Sequence, residues 1–108
     1  MVVSDVDWSQ AEKEVAQAAF NKAYKRETES LLTEVREQAN TIAALDHLWQ
    51  LHDFLSAKRH TLDGKYDYRY PVLVFVFAQL VKEGWLRLQD LDGLDAGKLA
   101  KIAALSRM

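Results

Sequence analysis

Apolar and polar positions separate most sharply in residues 45–62, LDHLWQLHDFLSAKRHTL. Wound at about 100° per residue, Leu48, Leu51, Leu55 and Leu62 fall together on one side. Trp49, His52, Asp53, Ser56 and His60 gather on another sector, with Arg59 on the border. A leucine stripe beside an indole, imidazoles, a carboxylate and a guanidinium predicts a helix with one structural side and one side for a partner.

Upstream, Ser9-Gln10-Ala11-Glu12 has capping-box spacing after a short acidic lead-in, and no Gly or Pro follows until Gly64. Good helix formers then predict one helix from residue 9 to about residue 40, roughly 45 Å long at 1.5 Å per residue. Its apolar positions run through Val15, Ala19, Ala23, Leu31, Leu32, Val35, Ala39 and Ile42, interrupted by a polar stretch at 22–29. A domain of this size has a radius of gyration of about 13 Å, so the helix must protrude and find cover. Two solutions are open. The second helix can fold back on the first within one chain, or two copies can pack antiparallel into a stalk with leucines and alanines inside. The homodimer is preferred because the second helix is too short to cover the first.

The helix break falls in residues 39–45, and Asp63-Gly64 predicts the end of the second helix. Residues 65–70, KYDYRY, form a charged, aromatic connector closed by Pro71. The run VLVFVFAQLV at 72–81 has strand composition without alternation. Pro71 at the start, Gln79, Lys82 and Glu83 prolonging the run, and Gly84 as a stop predict a buried helix instead. A short amphipathic turn or helix at 85–94 and a final helix at 96–106, capped by Asp95, complete the reading. The expectation is an all-α single domain, with a helical stalk over 9–62 and a small helical head over 63–108.

Composition narrows the function. A net charge of −2 with interspersed signs gives no field for nucleic acid or anionic lipid. The absence of cysteine removes disulfides and thiolate metal sites and fits a reducing cytoplasm. No apolar run approaches the roughly 20 residues that cross a bilayer, and MVVSDVDW lacks signal-peptide features. A cytoplasmic protein is expected.

Candidate chemistry is sparse. His47, His52 and His60, spaced five and eight residues apart, do not place two imidazoles at i, i+4, so no metal or cofactor is expected. Asp53 follows His52 directly, and side chains diverging by about 100° do not make a general-base pair. Nucleophile elbows and glycine-rich phosphate loops are missing. Helical dimers of the chorismate mutase kind use converging Arg and Lys. Here Lys25, Arg26 and Arg36 alternate with Glu27, Glu29, Glu34 and Glu37, which reads as a solvated, ion-paired face. An enzyme is not expected. Arg59 has an acidic neighbour four residues on, Asp63, and the sector around Trp49 has the composition of an interface hot spot.

Four blocks carry a resemblance: WSQAE at 8–12, LWQLHDFLSAKRH at 48–60, DGKYDYR at 63–69 and FVFAQLVKEG at 75–84. Together they closely resemble the fluorescence recovery protein family of cyanobacteria, from Trp8 to the ALSR near the C-terminus. The resemblance implies an all-helical dimer with a stalk and a head at each end. It implies binding to the orange carotenoid protein, chiefly its C-terminal domain, once light has driven that protein into its red form. Faster return to the orange form, release from the phycobilisome and recovery of antenna fluorescence would follow, with non-photochemical quenching switched off. The family's functional surface, a Trp, a His–Asp pair and an Arg on the second helix, matches Trp49, His52, Asp53 and Arg59. A Phe of the head and a Lys near the C-terminus match Phe75 and Lys101. The implied location is cytoplasmic, peripheral to the thylakoid surface. A dimeric helical adaptor with another partner is the competing reading.

Overall fold

The computed structural model describes residues 7–108; the acidic lead-in at 1–6 lies outside the described residues. Helix α1 (Gln10–Asn40) is followed by α2 (Leu45–Lys65), α3 (Tyr70–Glu83), a 3-10 turn (Leu88–Leu91) and α4 (Ala96–Ser106). The molecule measures 57 × 24 × 23 Å with a radius of gyration of 16.9 Å. That exceeds the roughly 13 Å of a compact chain this long, so α1 does protrude.

Local signals set the helix ends. The Ser9 hydroxyl accepts from the Glu12 N–H at 3.1 Å, and the Ser9 N–H donates to Glu12 Oε1 at 3.0 Å. Asp95 caps α4 by accepting from the Lys98 N–H at 2.8 Å. Gly84, at φ 88°, ends α3, and the Trp85 N–H reaches back to the Leu80 carbonyl at 2.9 Å. The apolar run is a helix that buries Leu73, Val74, Val76, Phe77, Ala78 and Leu80 while leaving Phe75 half exposed. Gly93, at φ 112°, is required twice over: a Cβ there would meet Val15 Cγ2 at 2.7 Å.

Three expectations need correcting. Helix α2 does not stop at Asp63-Gly64 but runs through them to Lys65. Gly64 is not among the positive-φ glycines, and Lys65 continues the helix to reach an acid on α1. The head is not confined to 63–108 either. Ala16, Ala19 and Ala23 are fully buried in one cluster with Leu73, Phe77 and Ile102, so the first half of α1 is a wall of the head. Small side chains there let the helices approach closely. Finally, the polar stretch of α1 is not a uniformly solvated face. Glu27 is 4% exposed, and Arg26 donates to the Trp85 carbonyl at 3.0 Å and to Asp90 at 2.9 Å.

The second half of α1 is covered by α2 of the same chain, which folds back antiparallel. Lys65 Nζ donates to Glu27 Oε2 at 2.7 Å, and the Tyr66 hydroxyl donates to Glu27 Oε1 at 2.8 Å. The cover is shallow. Leu51, Phe54, Lys58, Leu62 and Lys65, at helical spacing, are half-buried, and α2 has no fully buried residue. From there the connector runs extended along α1 with its tyrosines inward. Trp8, Tyr70, Tyr68, Phe20, Tyr66 and Tyr24 form an unbroken series of ring contacts, centroids 4.9–5.7 Å apart. Asp67 and Arg69 point out and pair with each other.

The α1–α4 seam is closed by a buried ion pair. The Lys98 side chain is 1% exposed, and its ammonium reaches Glu12 Oε2 at 3.1 Å, Asp95 Oδ2 at 3.1 Å and the Asp7 carbonyl at 2.7 Å. Burial pushes the Glu12 carboxyl up, but the Ser9 and Asp95 N–H groups and Lys98 outweigh it, and the net shift is downward. The Arg87 N–H, with Arg26 and Lys22, holds Asp90 at about 2. Carboxyls depressed from ordinary values of 4.5 and 3.8 stabilise the fold fully above those values. That stability is lost as the pH falls from there toward 2. Urea midpoints measured from pH 6 downward should therefore drop below about pH 4.5, and Asp90→Asn should flatten that limb. Glu12→Ala leaves the buried Lys98 ammonium only Asp95 and the Asp7 carbonyl and removes half of the capping box, and should cost about 2 kcal/mol at neutral pH in the same measurement.

Candidate functional site

The stalk residues singled out from the sequence stand on the side of α2 turned away from α1. The Trp49 side of α2 lies about 180° from Lys58, the middle of the half-buried stripe, at 100° per residue. Trp49 is 57% exposed, an unusual position for a large aromatic with no cover. Its ring meets His52 edge-on, centroids 6.4 Å apart at 89°. His52 Nδ1 lies 3.3 Å from Asp53 Oδ1, so these adjacent side chains do meet, contrary to the expectation that they diverge. Both lean around the helix surface, where nothing packs between them; their side chains are 71% and 82% exposed. Trp49, His52 and Asp53 thus form one solvent-facing patch.

Arg59 stands apart from it. Its guanidinium is 4.0 Å from Asp63, the i, i+4 neighbour noted in the sequence. It flanks a groove between α1 and α2 lined by Tyr24, Thr28, Leu31, Leu55 and Leu62. The leucine stripe is split in the same way. Leu51 and Leu62 are half-buried, while Leu48 and Leu55 are 44% and 38% exposed. Tyr24 and Leu32 of α1 are 48% and 54% exposed, which continues an uncovered apolar face along the stalk. Phe54, which the leucine stripe omitted, helps hold α2 to α1.

Phe75 and Lys101 come together in the head, the Lys101 ammonium 5.1 Å from the Phe75 ring centre across α3 and α4. One chain does not bring this pair to the stalk patch. Trp49 alone lies about 24 Å along α2 from Lys65, where the head begins, at 1.5 Å per residue.

Sequence reasoning missed the polar junction between the two regions. There Lys65 bridges Glu27 and Glu83, at 2.7 Å to each. Burial pushes the Lys65 ammonium down, but hydrogen bonds to both acids more than offset this and its pKa is raised. Burial, then Glu27, pushes the Tyr66 phenol far above its ordinary value, so it stays a donor to Glu27. The period-two tyrosines of KYDYRY were the available signal, since alternation marks an extended segment with one buried face. Among the described residues no three His, Asp or Glu side chains converge to hold a metal. Among the described residues no helix is long and apolar enough to cross a membrane.

A two-helix stalk carrying a small helical head defines an elongated all-α protein. Residues 8–106 match the family model of the photoprotection regulator fluorescence recovery protein, and the chain belongs to that family. It is 54% identical over 105 residues to the fluorescence recovery protein of Synechocystis sp., covering 97% of this chain and 96% of that one. The solved fluorescence recovery protein of Fremyella diplosiphon superposes with a TM-score of 0.92 at 62% identity, covering 94% of this chain and all of the other. The Synechocystis structure gives 0.90 at 56%, covering 94% and 99%. The fold expected from the blocks of resemblance, all-α with a stalk and a head, is the observed one. Membership gives the chain a role in photoprotection, in the recovery of fluorescence.

Because Trp49 stands 57% exposed on the side of α2 turned away from α1, Trp49→Ala should leave stability within about 0.5 kcal/mol of the parent. A urea titration checks this. A larger loss would mark Trp49 as part of the fold rather than of a docking surface.

Proposed function

We propose that this protein binds the photoactivated, red form of the orange carotenoid protein, chiefly its C-terminal domain, speeds its return to the orange form and promotes its release from the phycobilisome. The observation that carries the reading is the Trp49–His52–Asp53 patch, an uncovered hot-spot composition on a helix face that the fold leaves idle. Phe75 and Lys101 add a second contact on the head, and Arg59 a third at the groove edge. The action is binding, not bond chemistry, and the description of the family as a regulator supports this. A protein without a cofactor speeds a relaxation by holding the rearranging partner's barrier region, or its closed domain arrangement, more tightly than the state it first meets. The protein would act in the cytoplasm beside the phycobilisome at the thylakoid surface.

The working unit is a homodimer. Its support is the uncovered face of Tyr24, Leu32, Leu48 and Leu55 along a stalk whose second helix buries no residue fully. A second copy laid antiparallel over that face would cover it and place a head at each end.

Mixed with photoconverted carotenoid protein in the dark, the parent should speed the fall in red-form absorbance. Trp49→Ala should cost about 2 kcal/mol of binding, roughly thirtyfold in affinity. Asp53→Ala and Arg59→Ala should weaken it less, through lost charge complementarity. An inactive parent would sink the function; full activity in all three variants would sink only the site. Light scattering checks the dimer: the parent should give twice the chain mass, and Leu32→Glu with Leu55→Glu the mass of one chain.

A further inference from the structure

Helix α2 carries the stalk patch and is tied to α1 at its start by the short turn 41–44, but along its length little fixes its direction. Its half-buried stripe lies shallowly on α1, and no α2 residue is fully buried. At its last residue the restraint changes character. The Lys65 side chain is 10% exposed and makes 2.7 Å bonds to Glu27 on α1 and to Glu83 at the end of α3. Glu83 is steadied by Gln79 and by the Trp85 indole N–H, and the second Glu27 oxygen is taken by the Tyr66 hydroxyl. Three helices therefore meet on one ammonium, just before the chain leaves helical geometry at Tyr66, with ψ 77°.

Leverage makes this point matter. Trp49 lies sixteen residues up the helix, so a tilt of about 10° at Lys65 moves it by about 4 Å at 1.5 Å rise per residue. A displacement of that size exceeds what a packed hot-spot contact accommodates. The patch lies toward the start of α2, whereas the Phe75–Lys101 pair is on the head, where Phe75 lines a groove with Thr61, Gly64 and Lys65, and engaging both on one partner requires a fixed spacing.

We infer that Lys65 is a positioning residue: by holding Glu27 and Glu83 together it sets the angle between α2 and the head, and so the spacing at which the two patches meet one partner. The second half of this rests on the proposed function; the first half does not. Linked contacts lose their joint gain when geometry forbids simultaneous engagement. Loosening Lys65 should then impair action while each patch stays intact.

The chain has no cysteine, so spin labels at Ala57→Cys and Ala104→Cys, both exposed, report the α2-to-head distance without background. Labelled chains are diluted into unlabelled protein so that each pair reports within one chain. Glu83→Gln, which keeps the Glu27–Lys65 bond, is the mild variant, and Lys65→Met the severe one. For Glu83→Gln the expected result is helicity and melting close to the parent's, a distance distribution about twice as broad, and recovery of the carotenoid protein slowed by about tenfold. A distribution as narrow as the parent's would overturn the inference whatever the partner assay reads. A broad distribution with unchanged recovery would overturn it too, because position would then not matter. Should the parent itself fail to act on the carotenoid protein, the proposed function falls, and the distance alone decides the role of Lys65. If Lys65→Met fails to fold, Glu83→Gln carries the decision.

Discussion

A helix of 31 residues outruns any core that so short a chain can assemble, and the layout of the molecule answers that one constraint. Its first half is covered by α3, the 3-10 turn and α4, which pack onto the alanine face of Ala16, Ala19 and Ala23. Its second half is covered by α2 on a face turned by about 80–120° toward Leu31 and Val35 at 100° per residue. Cover therefore changes hands and direction near Glu27. A change of that kind opens a seam that apolar side chains cannot fill, and the chain closes it with a satisfied polar cluster. Glu27, Lys65 and Tyr66 pair completely, and no buried side-chain donor or acceptor among the described residues goes without a partner.

The same division explains why stability and display fall in different places. Deep burial is confined to the head, where Leu73, Phe77, Leu80, Leu91 and Ile102 are fully enclosed and the Glu12–Lys98 pair locks the outer edge. The stalk beyond Glu27 has only half-buried contacts on one side and large exposed apolar groups on another. Segments with few buried contacts open most readily, and they are where binding surfaces are tolerated. Trp49 can face water because α2 is held to α1 by the opposite side of the helix.

Much of this was legible in the sequence, for identifiable reasons. The caps at Ser9 and Asp95, the stop at Gly84 and the helix over 72–81 follow from chemistry local to a few residues. The outward face of α2 follows from periodicity. What was not legible depends on contacts between distant positions. Gly64 reads as a stop, yet Glu27, 38 residues away from Lys65, rewards one more residue of helix. Glu27 and Arg26 read as solvated because nothing local shows that the α2 terminus and the 3-10 turn land on them. His52 and Asp53 diverge on an ideal wheel, but exposed side chains bend to meet at 3.3 Å. Stalk and head were misdivided because alanine carries little weight in a hydrophobic pattern, although three alanines form the wall on which the head is built.

The arrangement bears on how a binding protein can act on a partner that changes shape. A single pocket grips one conformation and resists further change, since tight binding of a ground state deepens the well from which the partner must climb. Two contact areas on a lever, one at the stalk patch and one on the head, can be satisfied in sequence. On the proposed function the first would capture the partner and the second would be met only as its parts come together, so that binding energy accrues along the path and not at its start. Such a device needs a stiff junction between the areas more than it needs a deep site. That is the distribution of order seen here: one modest exposed patch near the start of α2, another on the head, and the polar cluster of Lys65, Glu27, Tyr66 and Glu83 where α2 meets the head.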